Sequence, residues 1–552
     1  MHDKSFWEGI PNDPFHAKRL ERLKKDYATY KENDKLEAFK YSEFKMFFTV
    51  GNRTVYQTKF QSRRNFMHCA ALLCLMYPEE QEYLDTLMDV IYALCDEYTW
   101  CQPAHQGKLE PNNNTRIDIS ASILGSTLAK VWVLLGDRLE PLIRNRIYAE
   151  VNRRVIEPFT SVENYGWWEN GTMNWTAVCM GNVAVATMLM RPDLADEAFI
   201  ARSVKSIEGY LTGFDESGIC FEGCGYWNYG FSNFCSYADV LRRYTDGKVD
   251  FFKREKVKKI ASFYQKTFIS DNVGVSFSDC GGALKLTYPT ALIHFLKNEY
   301  PDDVLVYDPK YGSLDHDGFG GYVWTSEELQ NSAVGLDTPL ELYSQSAGWL
   351  IKKTPFYGFA AKGGHNNEFH NHNDVGTFIY AKNGRQIISD IGGGIYTRQY
   401  FQKETRYGIL ECRSGGHSLP IVNGQEQKFG SAFAASGFDY ADGTLTMDIA
   451  GAYGMEELTK LQRSFTVGQD SVTLTDTFEI EGDAELICRL IAVEDTEIIK
   501  AGELKIADAV LTYDPETADC TVEIEESSRG LKVKKIDFKL KKGVRVFTCT
   551  LK

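Results

Sequence analysis

The sequence predicts a multidomain protein of the α plus all-β class, with a helical first half followed by a strand-rich C-terminal part. Three observations predict it: the chain length, helical periodicity in the first half, and many short strand-like runs near the end. At 552 residues the chain exceeds one ordinary domain, and a hydrophobic fraction of 43% is ample for large cores. The predicted domains are an α/α domain at 1–305, a linker with the start of the β domain at 306–355, and a β domain at 356–552.

Amphipathic helices fill the first half. One face of a helix is defined by residues at spacings of seven, four, three and four: Ile117, Leu124, Leu128, Val131 and Leu135. The same periodicity marks further segments, at 66–77, 83–95, 142–156, 175–190, 200–211, 234–244 and 257–268. Prolines punctuate these segments, and many successive helix pairs with aromatic-rich connections predict an α/α toroid or solenoid.

Strand-like runs dominate after Phe356. They lie at 357–361, 377–381, 386–389, 445–449, 461–467, 471–480, 485–492, 521–524, 533–540 and 544–551. Many short strands at near-regular spacing predict an antiparallel β-sandwich. The charge-rich stretch from Glu494 onward is interpreted as its solvated outer sheet.

Composition excludes several classes of function. A net charge of -15 argues against a nucleic-acid binder and means that any anionic ligand must be held by local positive charge. No apolar signal-peptide core follows Met1, and no stretch approaches the run of about 20 apolar residues that crosses a bilayer, so we expect no membrane association. Thirteen scattered cysteines without CxxC pairs predict reduced thiols and a cytoplasmic location. The sequence leaves open whether the chain forms a homodimer.

The stretch His-Asn-His-Asn-Asp at 370–374 is the most distinctive polar segment. An ordinary asparagine-rich loop, with two histidines spaced by chance, is one interpretation. In an extended segment, however, alternate residues point the same way, so His370 and His372 would share a face. Ile387–Asp390 and Arg413–His417 follow downstream, and we predict that these three segments build one metal-supported site.

A hairpin connects this stretch to a carboxylate. Asn383-Gly384 lies between two strand-like runs and predicts a two-residue turn. In that register Asp390 falls opposite Thr377, so His372 and Asp390 lie at the same end of the hairpin. Two histidines and a carboxylate suit zinc or a similar divalent ion.

The same stretch also matches part of another ligand pattern. His370-x-His372-x-Asp374 resembles the ligand run of metallo-β-lactamase folds, in which a metal-bound hydroxide attacks the substrate. Val375 follows where that run has a histidine, and this chain separates its helices from its strands instead of alternating them. Both differences argue against a hydrolase of that type.

Three aromatic-rich stretches lie at predicted helix boundaries, at 98–105, 165–175 and 221–230. Packing of the loops between helices explains any single tryptophan equally well. Three such loops in one domain favour a carbohydrate cleft, in which flat rings stack on the C–H faces of sugars. The candidate substrate-binding residues in these stretches are Trp100, His105, Trp168, Trp175, Glu222 and Tyr229.

These residues resemble those of a known family. Asn174-Trp175 and the Glu-Gly-x-Gly-Tyr run at 222–226 are followed by His-x-His, Ser-Asp and Arg-Ser-x-x-His. This order is similar to that of the heparinase II/III-like polysaccharide lyases, a group that includes oligoalginate lyases. The resemblance spans about residues 50 to 430. It implies an incomplete α/α toroid joined to an antiparallel β-sandwich, with the active site between them.

The resemblance implies β-elimination at a 4-linked uronic acid. That reaction requires the carboxylate to be neutralised, the C5 proton to be removed and the departing O4 to be protonated. Asn174 matches the asparagine that binds the uronate carboxyl, Tyr226 the catalytic tyrosine and His370 the catalytic histidine. Either Tyr226 or His370 could be the base. The implied substrates are glycosaminoglycan-type oligosaccharides (heparan-, hyaluronan- or chondroitin-like), with alginate oligomers as the alternative.

The resemblance also implies a metal that orders a loop behind the catalytic histidine. Its matching ligands are His372, Asp390 and His417. Zinc is favoured by this ligand set, and calcium and manganese are alternatives.

Two features depart from the family pattern. Some relatives carry a histidine where this chain has Trp175, which removes one candidate base. No obvious partner activates the tyrosine, whose unperturbed pKa is about 10. Arg413 and Arg406 could supply positive charge or bind substrate anions, although Arg406 could equally form a surface salt bridge.

Two further functions remain open from the residues alone. An inverting glycoside hydrolase on an α/α toroid could use two carboxylates such as Asp215 and Glu222. A non-catalytic carbohydrate-binding protein would retain affinity without turnover.

Overall fold

The computed structural model describes residues 4–33, 36–109, 114–280, 285–313, 318–336 and 338–552. It divides into two compact units. The helical unit comprises Met1–Gly213, Asn228–Lys258 and Tyr288–Ala333. The strand unit comprises Phe214–Trp227, Lys259–Thr287 and Val334–Lys552. The strand unit therefore includes two segments, Phe214–Trp227 and Lys259–Thr287, that lie within the predicted helical domain at 1–305. The two units alternate along the chain, whereas the predicted domains are contiguous.

Helices occupy most of the first half, as predicted. In the described residues they are, in order α1 to α17, Lys4–Gly9, Ala17–Glu32, Tyr41–Phe44, Met46–Val50, Thr54–Met76, Gln81–Cys95, Ile119–Leu135, Pro141–Val151, Glu157–Thr160, Asn174–Met190, Glu197–Thr212, Cys224–Tyr244, Glu255–Ala261, Thr290–Glu299, Gly320–Val323, Glu327–Asn331 and Lys403–Arg406. The predicted helix at 257–268 ends early, at Ala261; a 3-10 helix follows at Tyr264–Thr267, and Phe268 begins a strand.

Helix α7 begins at a side-chain cap. The Asp118 carboxylate accepts a hydrogen bond from the Ala121 N–H at 2.8 Å, which satisfies one of the free amides at the helix start. Residues Ile119–Arg138 are long and apolar enough to cross a membrane by length and composition, contrary to the expectation that no stretch approaches this. In the helical unit 61% of this apolar stretch is buried, and core helices of soluble proteins can be equally long and apolar.

The strands are, in order β1 to β21, Phe268–Ser270, Val273–Gly274, Leu340–Ser344, Trp349–Lys353, Gly358–Lys362, His365–Asn366, Phe378–Lys382, Arg385–Ile388, Pro420–Val422, Gly430–Ala434, Ser436–Ala441, Thr444–Asp448, Leu458–Val467, Val472–Ile480, Leu486–Ala492, Thr496–Lys500, Glu503–Ile506, Ala509–Tyr513, Ala518–Glu526, Lys532–Leu540 and Val546–Leu551. All pairings between these strands are antiparallel.

Three sheets build the core of the strand unit. They have five strands (β3-β4-β5-β7-β8), eight strands (β11-β12-β13-β14-β21-β18-β17-β16) and four strands (β19-β20-β15-β9). Buried and exposed residues alternate along β13 and β14, as expected of sheets with one face on a core. Phe359, Phe465 and Phe538, one from each sheet, belong to a single buried cluster. The predicted fold class, helices followed by an antiparallel β-sandwich, is confirmed.

The hairpin turn is also confirmed. Asn383 and Gly384 both have positive φ, 49° and 72°, as a tight two-residue turn between β7 and β8 requires. Lys382 pairs with Arg385 across it.

The predicted register beyond the turn is wrong. An irregularity shifts the pairing by one residue, so that Tyr380 pairs with Ile388. Both strands then end before Thr377 and Asp390 can pair. The Ser389 N–H instead donates to the Ile491 carbonyl at 2.8 Å, which carries the chain to another sheet.

The thirteen cysteines are all free of disulfides, and twelve of them are buried.

Candidate active site and metal centre

One buried carboxylate organises the candidate site in the strand unit. Asp279, whose side chain is fully buried, accepts hydrogen bonds from residues of three separate segments. We call it and its partners the Asp279 cluster: Asp279, Tyr226, His370, His372, Tyr396, Tyr400 and Arg406. Burial alone raises the pKa of Asp279, but the hydrogen bonds from His370 and His372 and the charge of Arg406 hold it well below its usual value.

The two histidines bind opposite oxygens of this carboxylate. His370 Nδ1 lies 2.8 Å from Asp279 Oδ2, and His372 Nε2 lies 3.0 Å from Oδ1. His370 has a φ of 58°, which is rare outside glycine and costs about 1–2 kcal/mol. Residues 370–374 therefore form a loop and not the extended segment expected, and alternation does not decide where the two rings point.

Tyr226 stacks directly on His370. The ring centroids are 3.8 Å apart and the planes differ by 18°. Because the carboxylate can only accept, His370 donates from Nδ1, and a neutral ring then carries its lone pair on Nε2. Glu222 lies beside this nitrogen, with Oε2 at 3.6 Å. The face formed by Tyr226, His370 and Glu222 thus contains a phenol, a free imidazole nitrogen and a carboxylate.

A second tyrosine links Tyr226 to Asp279. The Tyr226 and Tyr396 hydroxyls are 2.6 Å apart, and Tyr396 donates to Asp279 Oδ2 at 3.2 Å. Burial and the nearby carboxylate raise the pKa of Tyr396, so it remains a proton donor. Tyr396 therefore accepts from Tyr226 in the resting arrangement.

A glycine permits the close approach of the loop that carries Tyr396. A Cβ on Gly393 would lie 3.0 Å from the Asp279 Cα and 3.1 Å from its Oδ1. The Gly393 N–H donates to the Cys280 carbonyl at 3.0 Å. A side chain at position 393 would push this loop away from Asp279.

Three further buried side chains converge in the strand unit. His372, Asp390 and His417 each offer one ligand atom, and these atoms lie within 4.8 Å of one another. His372 Nδ1 has no hydrogen-bond partner among the described residues, and His417 Nδ1 lies 3.3 Å from Asp390 Oδ2, which is ion-pair distance. We call these three residues the metal-ligand set.

The other atom of each side chain is already occupied. His372 Nε2 donates to Asp279, Asp390 Oδ1 accepts from the Gly392 N–H at 2.9 Å, and His417 Nε2 lies 3.0 Å from the Glu411 carbonyl. A histidine that binds a metal through one ring nitrogen typically donates the N–H of the other nitrogen to a carboxylate or a carbonyl. Two imidazole nitrogens and one carboxylate oxygen therefore fit a divalent cation.

The pKa of His372 points to the same need for positive charge. Burial by itself lowers it, but the neighbouring Cys412 and Asp279 raise it to about 10. A proton or a metal cation can satisfy this cluster of acceptors. Burial acts to raise the pKa of Asp390, but His417, His372 and the Gly392 N–H together lower it.

A second combination, Asp279 with His372 and Cys412, also has ligand spacing. Arg406 already donates to both oxygens of Asp279, at 3.1 and 3.2 Å, and the Tyr400 hydroxyl donates to Oδ1. The charge and lone pairs of Asp279 are thus satisfied by protein donors. The metal-ligand set is the better cation site.

Asp374 does not join either site. Its Oδ1 binds Lys362 Nζ at 2.6 Å, in a pair that is almost fully buried. Its backbone N–H donates to Asn366 Oδ1 at 3.2 Å, so Asp374 orders the loop. The hydrolase-type ligand run through 370, 372 and 374 is therefore not formed.

Asn174 belongs to the helical unit, where it is the first residue of α10 and is buried. It packs against Gly230 of α12, where an added Cβ would lie 3.2 Å from the Asn174 Cβ. Tyr226 and Tyr229 lie earlier in the same helix, Tyr226 one turn before Gly230.

The predicted sugar-binding aromatics of the helical unit divide into two groups. Trp175 is half-buried, and its ring lies 5.0 Å from that of Trp167 and 4.8 Å from that of His105. Both nitrogens of His105 are engaged, Nδ1 with Asp118 at 2.6 Å and Nε2 with Arg53 at 3.2 Å. Trp167 is 53% exposed, so this group presents an accessible aromatic surface.

Trp100 and Trp168 are core residues. Trp100 donates from its indole to the Leu94 carbonyl at 2.8 Å, and Trp168 donates to the Ile117 carbonyl at 3.3 Å. Both side chains are at most 3% exposed. Stacking on a sugar, as predicted for them, is not compatible with this burial, and Trp167 is the exposed tryptophan of that loop.

Of the two arginines, Arg406 supplies positive charge to the Asp279 cluster, as one of the expectations stated, and Arg413 does not. Arg413 is paired with Glu426 at 2.7 Å and with Glu525 at 3.5 Å, so carboxylates of the chain already occupy it. Arg406 is buried and donates to Asp279 and to the carbonyl of Asn371. Arg406 therefore does not form a surface salt bridge and is not accessible for binding substrate.

Sequence reasoning missed Asp279, Tyr396 and Tyr400. Asp279 lies 91 residues before its partner His370, in a segment assigned to the helical domain, and no spacing connects them. The glycine run at 392–394 was the one available signal, because consecutive glycines mark close backbone approach.

Comparisons with known proteins support the fold. No family model matches the sequence, and no curated protein matches it. Among solved structures, heparinase III matches with 15% identity and a TM-score of 0.64 over 89% of this chain and 76% of that one. Heparan sulfate lyase HepC from Pedobacter heparinus, crystallised as a mutant, matches with 13% identity and a TM-score of 0.59 over 91% and 77%.

Chondroitin AC lyase from Streptomyces coelicolor A3 matches with 9% identity and a TM-score of 0.60, over 99% of this chain and 82% of that one. At these identities the similarity concerns the fold. The chain therefore has the fold of these lyase structures, an α/α toroid followed by a β-sandwich, as the family resemblance implied.

Proposed function

We propose that this protein is a polysaccharide lyase that cleaves 4-linked uronic-acid bonds of glycosaminoglycan-type oligosaccharides by β-elimination. The observation that carries the proposal is the stack of Tyr226 on His370, with His370 Nδ1 held 2.8 Å from the ionised Asp279. It places a proton donor and a base side by side. The solved structures of this fold that are named heparan sulfate and chondroitin AC lyases support the substrate class.

His370 is the proposed base. Its Nδ1 proton is fixed on Asp279, so Nε2 has the lone pair that takes the C5 proton. The electron pair of the C5–H bond forms the C4–C5 double bond as the C4–O4 bond breaks. Asp279 and Glu222, on either side of the ring, stabilise the imidazolium that results.

Tyr226 is the proposed acid. Its phenolic proton passes to the departing O4, and Tyr396 can then donate to the phenolate across their 2.6 Å contact. Return of the proton from His370 to Tyr226 restores both groups. Asn174 keeps the carboxyl-binding role that the family resemblance implies, and Trp175 is proposed to contact substrate.

The metal-ligand set is proposed to hold zinc, since two imidazoles and a carboxylate are typical zinc ligands. A cation bound there would supply positive charge that fixes the loop carrying His370. All proton transfers remain with the side chains named above.

The test is product formation by two variants. Tyr226→Phe and His370→Ala should each reduce formation of the unsaturated uronate by about 10²–10⁴-fold while circular dichroism shows an intact fold. Ultraviolet absorbance of the C4–C5 double bond, measured over a panel of glycosaminoglycan and alginate oligosaccharides, reports the reaction. Full activity in both variants would sink the proposal.

A substrate with an activated phenol at O4 separates the two roles. Such a leaving group needs no proton, so Tyr226→Phe should regain most of the wild-type rate and His370→Ala should not. Rescue of His370→Ala instead would reverse the assignment of acid and base.

A glycoside hydrolase using Asp215 and Glu222 fits the structure less well. Asp215 accepts hydrogen bonds from the hydroxyls of Ser217, Ser344 and Ser346, at 2.5, 2.8 and 2.6 Å. Although burial opposes it, these bonds lower the pKa of Asp215 to about 2, so it is an ionised structural carboxylate.

Asp215→Asn should therefore cost about 2 kcal/mol of stability at neutral pH and leave the reaction rate unchanged. Because its pKa is lowered, Asp215 stabilises the fold above about pH 4, and this contribution is lost as the pH falls towards 2. Urea unfolding at pH 7 and pH 3 checks both values. Loss of activity with normal stability would favour the hydrolase.

Action in the cytoplasm on oligosaccharides remains part of the proposal. Fractionation of the producing cells and digestion of size-defined substrates test it.

A further inference from the structure

The helical unit contains a cavity of about 300 Å³ near the C-terminal half of helix α10. Its lining includes Lys130 of α7, Asn182 of α10 and Ser236 of α12, together with Trp7 and Trp324. Asn182 lies eight residues along α10 from Asn174, which is about 12 Å by helix rise. A cavity of this size is at the lower end of the range for small-molecule sites.

Lys130 faces this cavity without a counter-ion. Its ammonium makes one long hydrogen bond, to the Ser236 hydroxyl at 3.4 Å, and no ion pair with any described residue. Burial lowers its pKa to about 8, so most of it is still charged at pH 7. Lys130 is half-buried, and a partly desolvated ammonium with unused donors is a site for an oxyanion.

The nearest acidic residue of the cavity does not supply the missing charge. Asp239 lines the cavity, but its carboxylate binds Arg242 at 3.1 Å and Arg243 at 3.1 and 3.2 Å. Arg242 also binds Glu299 at 2.7 Å, so the two arginines balance two carboxylates, and an anion beside Lys130 would not meet an unpaired negative charge.

The remaining wall suits a polyhydroxylated ligand. Asn182 uses both amide protons, on the Val178 carbonyl at 2.8 Å and on Asn233 Oδ1 at 2.7 Å, which leaves its own oxygen as an acceptor. Ser232 and Asn233 add further polar groups. Trp324 provides a flat apolar surface of the kind on which the C–H face of a sugar packs.

From this combination we infer that the cavity binds an acidic monosaccharide, with its carboxylate on Lys130, its hydroxyls on the Asn182–Asn233 pair and its apolar face on Trp324. The site is additional to the proposed catalytic residues, and its lining belongs entirely to the helical unit. It binds a free sugar acid and performs no chemistry on it.

The test is titration of the full chain with D-glucuronate, followed by calorimetry and by tryptophan fluorescence. Wild-type protein should bind it, and Lys130→Met should bind at least about tenfold more weakly, as expected for loss of a charged hydrogen bond. Lys130→Arg, which keeps the charge, should retain more affinity than Lys130→Met. D-glucose, which lacks the carboxylate, should bind weakly and equally to wild type and Lys130→Met.

Two controls keep the outcome clear. Lys130→Met removes a half-buried charge that has no counter-ion, so its thermal unfolding should occur at or above the wild-type temperature. Tyr226→Phe should bind glucuronate at this site as the wild type does. Equal glucuronate affinity in wild type and Lys130→Met would overturn the inference, and so would binding of inorganic phosphate without binding of glucuronate.

Discussion

The two sides of Asp279 use the same residue type for different purposes. On one side His370 is partly exposed, stacks on Tyr226 and has a free nitrogen beside Glu222. On the other side His372 is fully buried and directs its free nitrogen at Asp390 and His417. Both rings donate to the same carboxylate, so the partner of the second nitrogen decides which histidine is available for chemistry. Solvent access, and not sequence spacing, separates the two sides.

Removing the Asp279 carboxylate should release both His370 and His372, and we expect it to have the largest effect on stability and activity. Asp279→Ala leaves Arg406 buried without a counter-ion, so the free energy of unfolding should fall by about 3–5 kcal/mol. Loss of the group that orients His370 should also reduce kcat by about 10³-fold or more. Urea unfolding and product absorbance measure the two effects.

Glu97→Ala is the matched control for Asp279→Ala. Glu97 is another buried carboxylate, paired with Arg63 at 3.0 Å and Arg64 at 2.6 Å in the helical unit. It should lose similar stability but keep the kcat of the folded fraction. If both variants lost kcat equally, Asp279 would have only a structural role.

Metal content should distinguish the two histidines. His417→Ala should lose the bound divalent ion, whereas His370→Ala should keep it, because only His417 is in the metal-ligand set. At zinc concentrations several hundred times the Kd, zinc should stabilise wild type by about 3–4 kcal/mol and should not stabilise His417→Ala. Elemental analysis and thermal unfolding with and without chelator provide the measurements.

His294→Ala controls for the loss of a buried histidine. His294 is fully buried in the helical unit and accepts from the Ser326 N–H at 3.2 Å. It should unfold earlier than wild type but retain the metal. Equal metal loss in His370→Ala and His417→Ala would contradict the division of roles.

Exposed aromatics should give the smallest effect. Trp167→Ala should raise KM by about 3- to 10-fold with little change in kcat, since Trp167 is the exposed member of the group with Trp175. Arg413→Ala should change KM by less than about twofold, because Arg413 is held by Glu426 and Glu525. Steady-state kinetics on one oligosaccharide compares them. A larger effect from Arg413→Ala would restore it as a substrate ligand.

Local patterns predicted most of the secondary structure. Short strand-like runs located strands such as Val472–Ile480, and the turn preference of Asn383-Gly384 predicted the hairpin. The register beyond the turn was not predictable, because the shift at Tyr380 depends on where Ser389 finds its partner in another sheet. The sequence pattern also could not predict which tryptophans are exposed, since the neighbours Trp167 and Trp168 are exposed and buried, respectively.

By itself, the sequence determined which residue types could form a site: two histidines two apart, a downstream Asp390 and His417, and a tyrosine in a glycine-rich run. The type and spacing of these residues can be read directly from the sequence, because they are properties of the chain before it folds. Tertiary structure alone decided that Asp279, 91 residues from His370, binds both rings and sets which nitrogen of each remains free. The physical reason is that a buried carboxylate must gather donors from wherever the fold brings them, and chain distance does not enter that requirement.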